Sequence, residues 1–173
     1  MQNHFELFGL IPAFALDMAA LDTAYRQVQS RVHPDKFANS SDTEKRVAMQ
    51  WATRANEAYQ TLKNPLKRAS YLCELNGVDL QTESNTSMPA AFLMRQMAWR
   101  EALEEARATR NETALAGLEQ DVRQSKKATL DQVGALIDQS KDFATAGKQV
   151  RELMFVEKFA AEVGDTIAMI EDA

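Results

Sequence analysis

The stretch LDTAYRQVQSRVHPDKFANSSDTEKRVAMQWATRANEAYQTLKNP, residues 21–65, decides the fold. Leu21, Tyr25, Val28 and Val32 recur at steps of four, three and four, which places them on one stripe of an α-helix. Pro34 ends that helix near Val32. It disfavours the α conformation at His33 and supplies no backbone N–H, so His33, Pro34 and Asp35 are predicted to form an exposed loop. Ser41, Asp42, Thr43 and Glu44 then match the Ser-x-x-Glu capping box, in which the N-cap hydroxyl and the Glu carboxylate satisfy two otherwise free backbone N–H groups. A second helix starts there, with Val47, Trp51, Ala55, Ala58 and Leu62 as its expected apolar stripe and Tyr59 at the flank. Two amphipathic helices joined by a polar loop predict an antiparallel hairpin, each covering the other's stripe. Asn64 and Pro65 suit the N-cap and first position of a third helix that carries Ala69, Leu72 and Cys73 inward.

Beyond this hairpin the texture changes. Asn76-Gly77 is a helix stop, and residues 78–87 are polar and without helical period before Pro89. The expected organisation is an N-terminal domain over 1–77, a linker over 78–88 and a C-terminal domain over 89–173. The last part reads as three helices, 89–108, 112–140 and 143–171, with Asn111 as N-cap of the second. Leu115, Leu118, Val122, Thr129, Val133 and Leu136 hold helical spacing in the second. Val150, Leu153, Val156, Ala160, Val163, Ile167 and Ile170 do so in the third. Short connections between such helices make a three-helix bundle. The fold class is therefore all-α. Composition agrees: 45% hydrophobic and 26% charged residues exclude a disordered or collagenous chain, and six Gly and four Pro leave little turn punctuation.

Charge and ligand counts narrow the function. The net charge of -5 argues against a general nucleic-acid binder, whose affinity for phosphates comes from surplus Lys and Arg. The charge is also uneven: residues 1–76 carry 9 Lys and Arg against 8 Asp and Glu, and residues 77–173 carry 11 against 17. Cys73, His4 and His33 are the whole supply of thiol and imidazole, too few for a four-ligand zinc site or an iron–sulfur cluster within one chain. No metal site and no cofactor are expected, with Cys73 a buried small hydrophobe and His4 a surface residue. A His33 and Asp35 pair could form a general base, but no nucleophile or Gly-rich pocket accompanies it, so no enzyme is expected. Residues 1–10 lack the basic start of a targeting segment. No apolar run approaches the roughly 20 residues of a membrane span. With a lone Cys this predicts a cytoplasmic protein with no membrane partner.

The setting of His33-Pro34-Asp35 between two helices, preceded by Tyr25-Arg26 and followed by Lys36-Phe37, resembles the J domain of co-chaperones. Residues 5–10, FELFGL, look like the short first helix of that module, and residues 56–62, NEAYQTL, like its third. HPDKF at 33–37, NPLKRASYL at 64–72 and an acidic helical C-terminal part narrow the likeness to the HscB family, strongest over 4–77 and around 91–105. The resemblance implies a J-protein of bacterial iron–sulfur cluster assembly, with two partners: an HscA-type heat-shock chaperone ATPase and the iron–sulfur scaffold IscU. It implies that His33, Pro34 and Asp35 signal ATP hydrolysis, with Arg26, Arg31 and Lys36 meeting an acidic patch on the ATPase. The helix and loop are only slightly positive, so that attraction is modest and salt-dependent.

A second surface can be read on the helix at 89–108. With Phe92 at zero and about 100° per residue, Phe92, Trp99, Leu103 and Ala106 share a narrow stripe, whereas Leu93, Met94 and Met97 fall about 100 to 200° away. Phe92 and Trp99 are assigned to the core. In the last helix Phe155, and with it Phe159, is set opposite or beside the stripe. Apolar patches with Met are adaptable partner surfaces. The resemblance assigns Leu93, Met94, Met97 and Phe155, with the acidic Glu101 and Glu104, to scaffold binding. The family pattern has an acidic residue directly after Met97, where this chain has Ala98. Two rival readings stand beside this one: a J-protein serving another client, and a helical interaction module unrelated to chaperones.

Overall fold

The computed structural model describes residues 2–80 and 88–173 of the 173-residue chain. These residues form seven α-helices and one 3-10 turn, without a strand. Asn3 caps α1 (His4–Leu7), shorter than the expected 5–10. The Asp17 carboxylate caps α2 (Met18–Val32) by accepting from the Ala19 and Ala20 amides. That helix stops where Pro34 requires: His33 has φ −58° and ψ 135°, the extended backbone imposed on a residue before proline, and the 3-10 turn Pro34–Phe37 follows. The capping box of α3 (Asp42–Lys63) is complete, with the Glu44 amide donating to Ser41 Oγ at 3.2 Å and the Ser41 amide to the Glu44 carboxylate at 2.9 Å. Asn64 caps α4 (Pro65–Leu75), and the chain leaves α4 through Gly77 at φ 83°, where an L side chain would be strained. Then come α5 (Ala90–Thr109), α6 (Glu112–Asp138), capped by Asn111, and α7 (Phe143–Glu171).

The stripe of α3 differs from its periodicity reading. Ala48, Ala55, Ala58 and Leu62 are buried, whereas Val47 and Trp51 are 45% and 38% exposed. The last turns of α2 reach Trp51 without sealing it: Val28, Arg31, Val32 and Trp51 line an open recess between the two helices. Small Ala48 takes the inward position, and Trp51 lies at the rim with the Arg54 guanidinium 5.4 Å from its ring centre. His4 also differs from expectation. Its ring stacks on Tyr71 at 4.3 Å, its amide donates to Tyr71 Oη at 2.9 Å, and burial, partly opposed by Glu57, holds the imidazole below its ordinary value. Cys73 is buried as expected, and burial pushes its thiol up to about 11, which keeps it protonated and inert.

Two apolar clusters hold the chain together. The first joins Phe5, Leu21, Leu62 and Leu72 of the N-terminal helices to Val133 and Ile137 of α6 and Val150 and Leu153 of α7. The closed end of the α6–α7 hairpin thus completes the core of α1–α4. The second packs Phe92, Trp99 and Leu103 of α5 between Leu115 and Val122 of α6 and Val156, Phe159 and Val163 of α7. The start of the expected linker is anchored: Leu80 is buried and Val78 half-buried in the first cluster. Gly147 admits them, since a Cβ there would lie 2.7 Å from Val78. Residues 81–87 of that linker lie outside the described residues.

Polar groups tie the same junction. The Asp138 carboxylate accepts from the Phe14 and Ala15 amides at 2.8 and 2.9 Å. Buried Arg68 donates to the Phe14 carbonyl at 2.8 Å and to Leu62 O at 2.7 Å, satisfying a carbonyl in the last turn of α3 that has no intrahelical partner. Arg68→Met leaves both carbonyls without their donor and is expected to cost about 2–4 kcal/mol in urea unfolding.

Phe159, placed beside the α7 stripe by sequence, is fully buried and stacks on Trp99 with ring centres 5.7 Å apart. Helix α7 is covered by α6 on one side and α5 on the other, so its apolar arc is wider than one stripe. Phe159→Ala is expected to destabilise the fold by about 3–5 kcal/mol, read from the urea midpoint.

Candidate functional site

The loop after α2 is polar, exposed and internally braced. The Asp35 amide donates to His33 Nδ1 at 3.2 Å, so neutral His33 carries its proton on Nε2, free to donate to a partner. Asp35 Oδ2 lies 3.6 Å from the same nitrogen. Both side chains stand in solvent, at 59% and 93% exposure, so the pair adds little stability. With Pro34 fixing φ inside the turn, the loop offers a carboxylate and an imidazole at low entropic cost of docking.

Arg26, Arg31 and Lys36 are all exposed, and the two arginines face different sides of α2. Arg26 lies within electrostatic reach of Tyr59. Arg31 instead lines a recess of about 300 Å³ with Leu7, Val28, Val32 and Trp51. Five positions on a helix turn the side chain by about 140°, which is why two arginines of one helix serve two sides. The exposed Trp51 beside the loop is a feature that the α3 periodicity had assigned to the core.

The second surface is apolar. Leu93, Met94 and Met97 of α5 are 49%, 70% and 63% exposed, and Phe155 of α7 is 51% exposed. Burial raises the Glu152 carboxyl above its ordinary value, only partly opposed by the nearby Arg95, and Arg100 pairs with Glu162 at 3.1 Å. These contacts, with the Trp99–Phe159 stack, run in the same chain direction, so α5 and α7 are parallel here and Phe155 lies beside the first half of α5. Lys158 lies 5.9 Å from the Phe155 ring centre. Glu101 and Glu104 are exposed, four and seven positions beyond Met97 and so on its side of α5. Glu104 is engaged with Arg107 at 3.0 Å. Ala98 is exposed. Among the described residues no three His, Cys, Asp or Glu side chains converge as a metal site, and no helix is long and apolar enough to cross a membrane.

Against known proteins, the chain is 56% identical over 169 residues to the co-chaperone protein HscB homolog of Burkholderia multivorans, covering 98% of this chain and 96% of that one. The chain belongs to the HscB co-chaperone family. A family model described as the HSCB C-terminal oligomerisation domain matches residues 88–164. Chaperone HscB from Vibrio cholerae superposes with a TM-score of 0.84 at 38% identity, covering 98% of this chain and 99% of that structure. Human co-chaperone protein HscB superposes with a TM-score of 0.88 at 30% identity, covering 95% and 81%. As an HscB-family co-chaperone, the chain presents its two exposed surfaces on α2 with its loop and on α5 with α7. Arg68 and Asp138, which join the supports of the two surfaces, were not singled out by sequence. Their partners lie up to 124 residues away, and no local pattern marks them.

Proposed function

We propose that this co-chaperone stimulates the ATPase of a dedicated HscA-type heat-shock chaperone through His33, Pro34, Asp35, Lys36, Arg26 and Arg31. In the same reading it delivers the iron–sulfur scaffold IscU to that chaperone in the bacterial cytoplasm, holding it through Leu93, Met94, Met97, Phe155, Glu101 and Glu104. The observation that carries this reading is the coexistence of two exposed surfaces of opposite chemistry, a braced polar loop on one apolar cluster and an apolar face on the other, with α6 and α7 running through both clusters. A chain that engages both partners makes their encounter effectively intramolecular and raises local concentration without new contacts between them. ATP hydrolysis then traps the scaffold on the chaperone and favours cluster transfer. The co-chaperone performs no covalent chemistry in this scheme and holds no cofactor.

Steady-state ATP turnover of the chaperone, measured with this chain alone, with IscU alone and with both, tests the proposal. Turnover rises with the chain alone and rises further, beyond the sum of the separate effects, with both. An unchanged rate on adding the chain refutes the J-protein reading; stimulation that IscU does not enhance points to another client.

A further inference from the structure

Two of the apolar residues on the α5–α7 face are methionines, and in the free protein nothing covers them. Met94 and Met97 are the most exposed of the four, one turn apart on α5. A thioether packs much as a leucine does, but its sulfur lone pair is open to peroxide attack. We propose that Met94 and Met97 make this face oxidation-sensitive: a hydroperoxide converts them to methionine sulfoxide and weakens scaffold binding, and sulfoxide reduction restores it. This rests on the assignment of the face to the scaffold.

The chemistry is a two-electron oxygen transfer. A sulfur lone pair attacks one peroxide oxygen, the S–O bond forms as the O–O bond breaks, and with hydrogen peroxide the departing oxygen leaves as water. Sulfur loses two electrons and the peroxide gains them. The sulfoxide places a strong acceptor on a surface where Leu93 and Phe155 donate no hydrogen bond. Covering it with a partner strips its water without replacing it, which lowers affinity by about tenfold to a hundredfold. The other methionines serve as internal controls. Met49 on α3 and Met169 near the end of α7 are equally exposed but lie off this face, and Met88 and Met154 are half-buried against the cores.

The test treats the full chain with hydrogen peroxide until mass spectrometry shows sulfoxide at 94 and 97, then titrates it with IscU. Affinity is expected to fall at least about tenfold and to return after treatment with the two methionine sulfoxide reductases and a dithiol, which supplies two electrons by closing to a disulfide while the sulfoxide oxygen leaves as water. A Met94→Leu/Met97→Leu variant has the same affinity before and after peroxide, whatever its starting value, although its Met49 and Met169 are oxidised. Bound IscU slows oxidation at 94 and 97 and leaves that at 49 unchanged. Undiminished affinity of the oxidised chain, or an equal loss in the double variant, overturns the proposal. Absence of binding by the untreated chain is a distinct result that removes the scaffold assignment and this proposal with it.

Discussion

A His33→Gln variant is expected to lose almost all stimulation of the chaperone ATPase while keeping its fold and its affinity for the scaffold. The His33 side chain is 59% exposed and belongs to neither apolar cluster, so its replacement changes stability by less than about 1 kcal/mol. What it does locally is specific. Nδ1 accepts the Asp35 amide and thereby leaves Nε2 as the donor, while Pro34 holds the backbone between the His33 and Asp35 side chains. Glutamine keeps a polar amide but has a flexible stem, so it neither fixes the Asp35 amide nor presents a donor at a defined distance from the Asp35 carboxylate. ATP turnover with a saturating concentration of the variant, alongside urea unfolding and IscU titration, checks all three parts. Normal stimulation refutes the role given to the loop; a lost fold refutes the claim that His33 is free of structural duty.

The loop was legible because its signals are local. Pro34 forces His33 out of the helix, Ser41 and Glu44 close a reciprocal cap, and Asn64 followed by Pro65 opens α4; each is set by side chain and backbone within four residues. The α3 stripe was legible only in part. Val47 and Trp51 continue the period that ends at Leu62, but periodicity does not say how closely the facing helix packs, and an open recess between α2 and α3 leaves Trp51 at the rim. Phe159 shows the same blindness in reverse. It lies about 40° from Phe155 around α7, yet one is sealed against Trp99 and the other stands in water, because the edge of α5 falls between them. The junction was the least legible part. Phe14, Arg68 and Asp138 meet from three distant parts of the sequence, and Gly134 is needed there because the Phe14 ring sits 2.7 Å from where its Cβ would be. Such close approach is a property of the assembled helices and leaves no periodic trace.

Simultaneous replacement of Leu93, Met97 and Phe155 by Ala is expected to weaken scaffold binding at least about a hundredfold and to leave stimulation by the co-chaperone alone within about twofold. The three side chains are half-exposed or more, while Phe92, Trp99 and Leu103, on the other side of α5, carry the packing. Removing the first set therefore opens no cavity, and the unfolding midpoint should move by less than the equivalent of about 1 kcal/mol. Their loss does remove the apolar centre of the face, leaving Glu101 and Glu104 as a polar edge; rim charges tune encounter rate more than affinity. The two variants should thus separate the two surfaces: His33→Gln binds scaffold without stimulating, and the triple variant stimulates without binding. Adding IscU should then raise turnover with the wild-type chain and have no further effect with the triple variant. If the triple variant unfolds, these side chains belong to the core and the apolar face does not exist as described. If it folds and still binds, the scaffold docks elsewhere on the acidic C-terminal half.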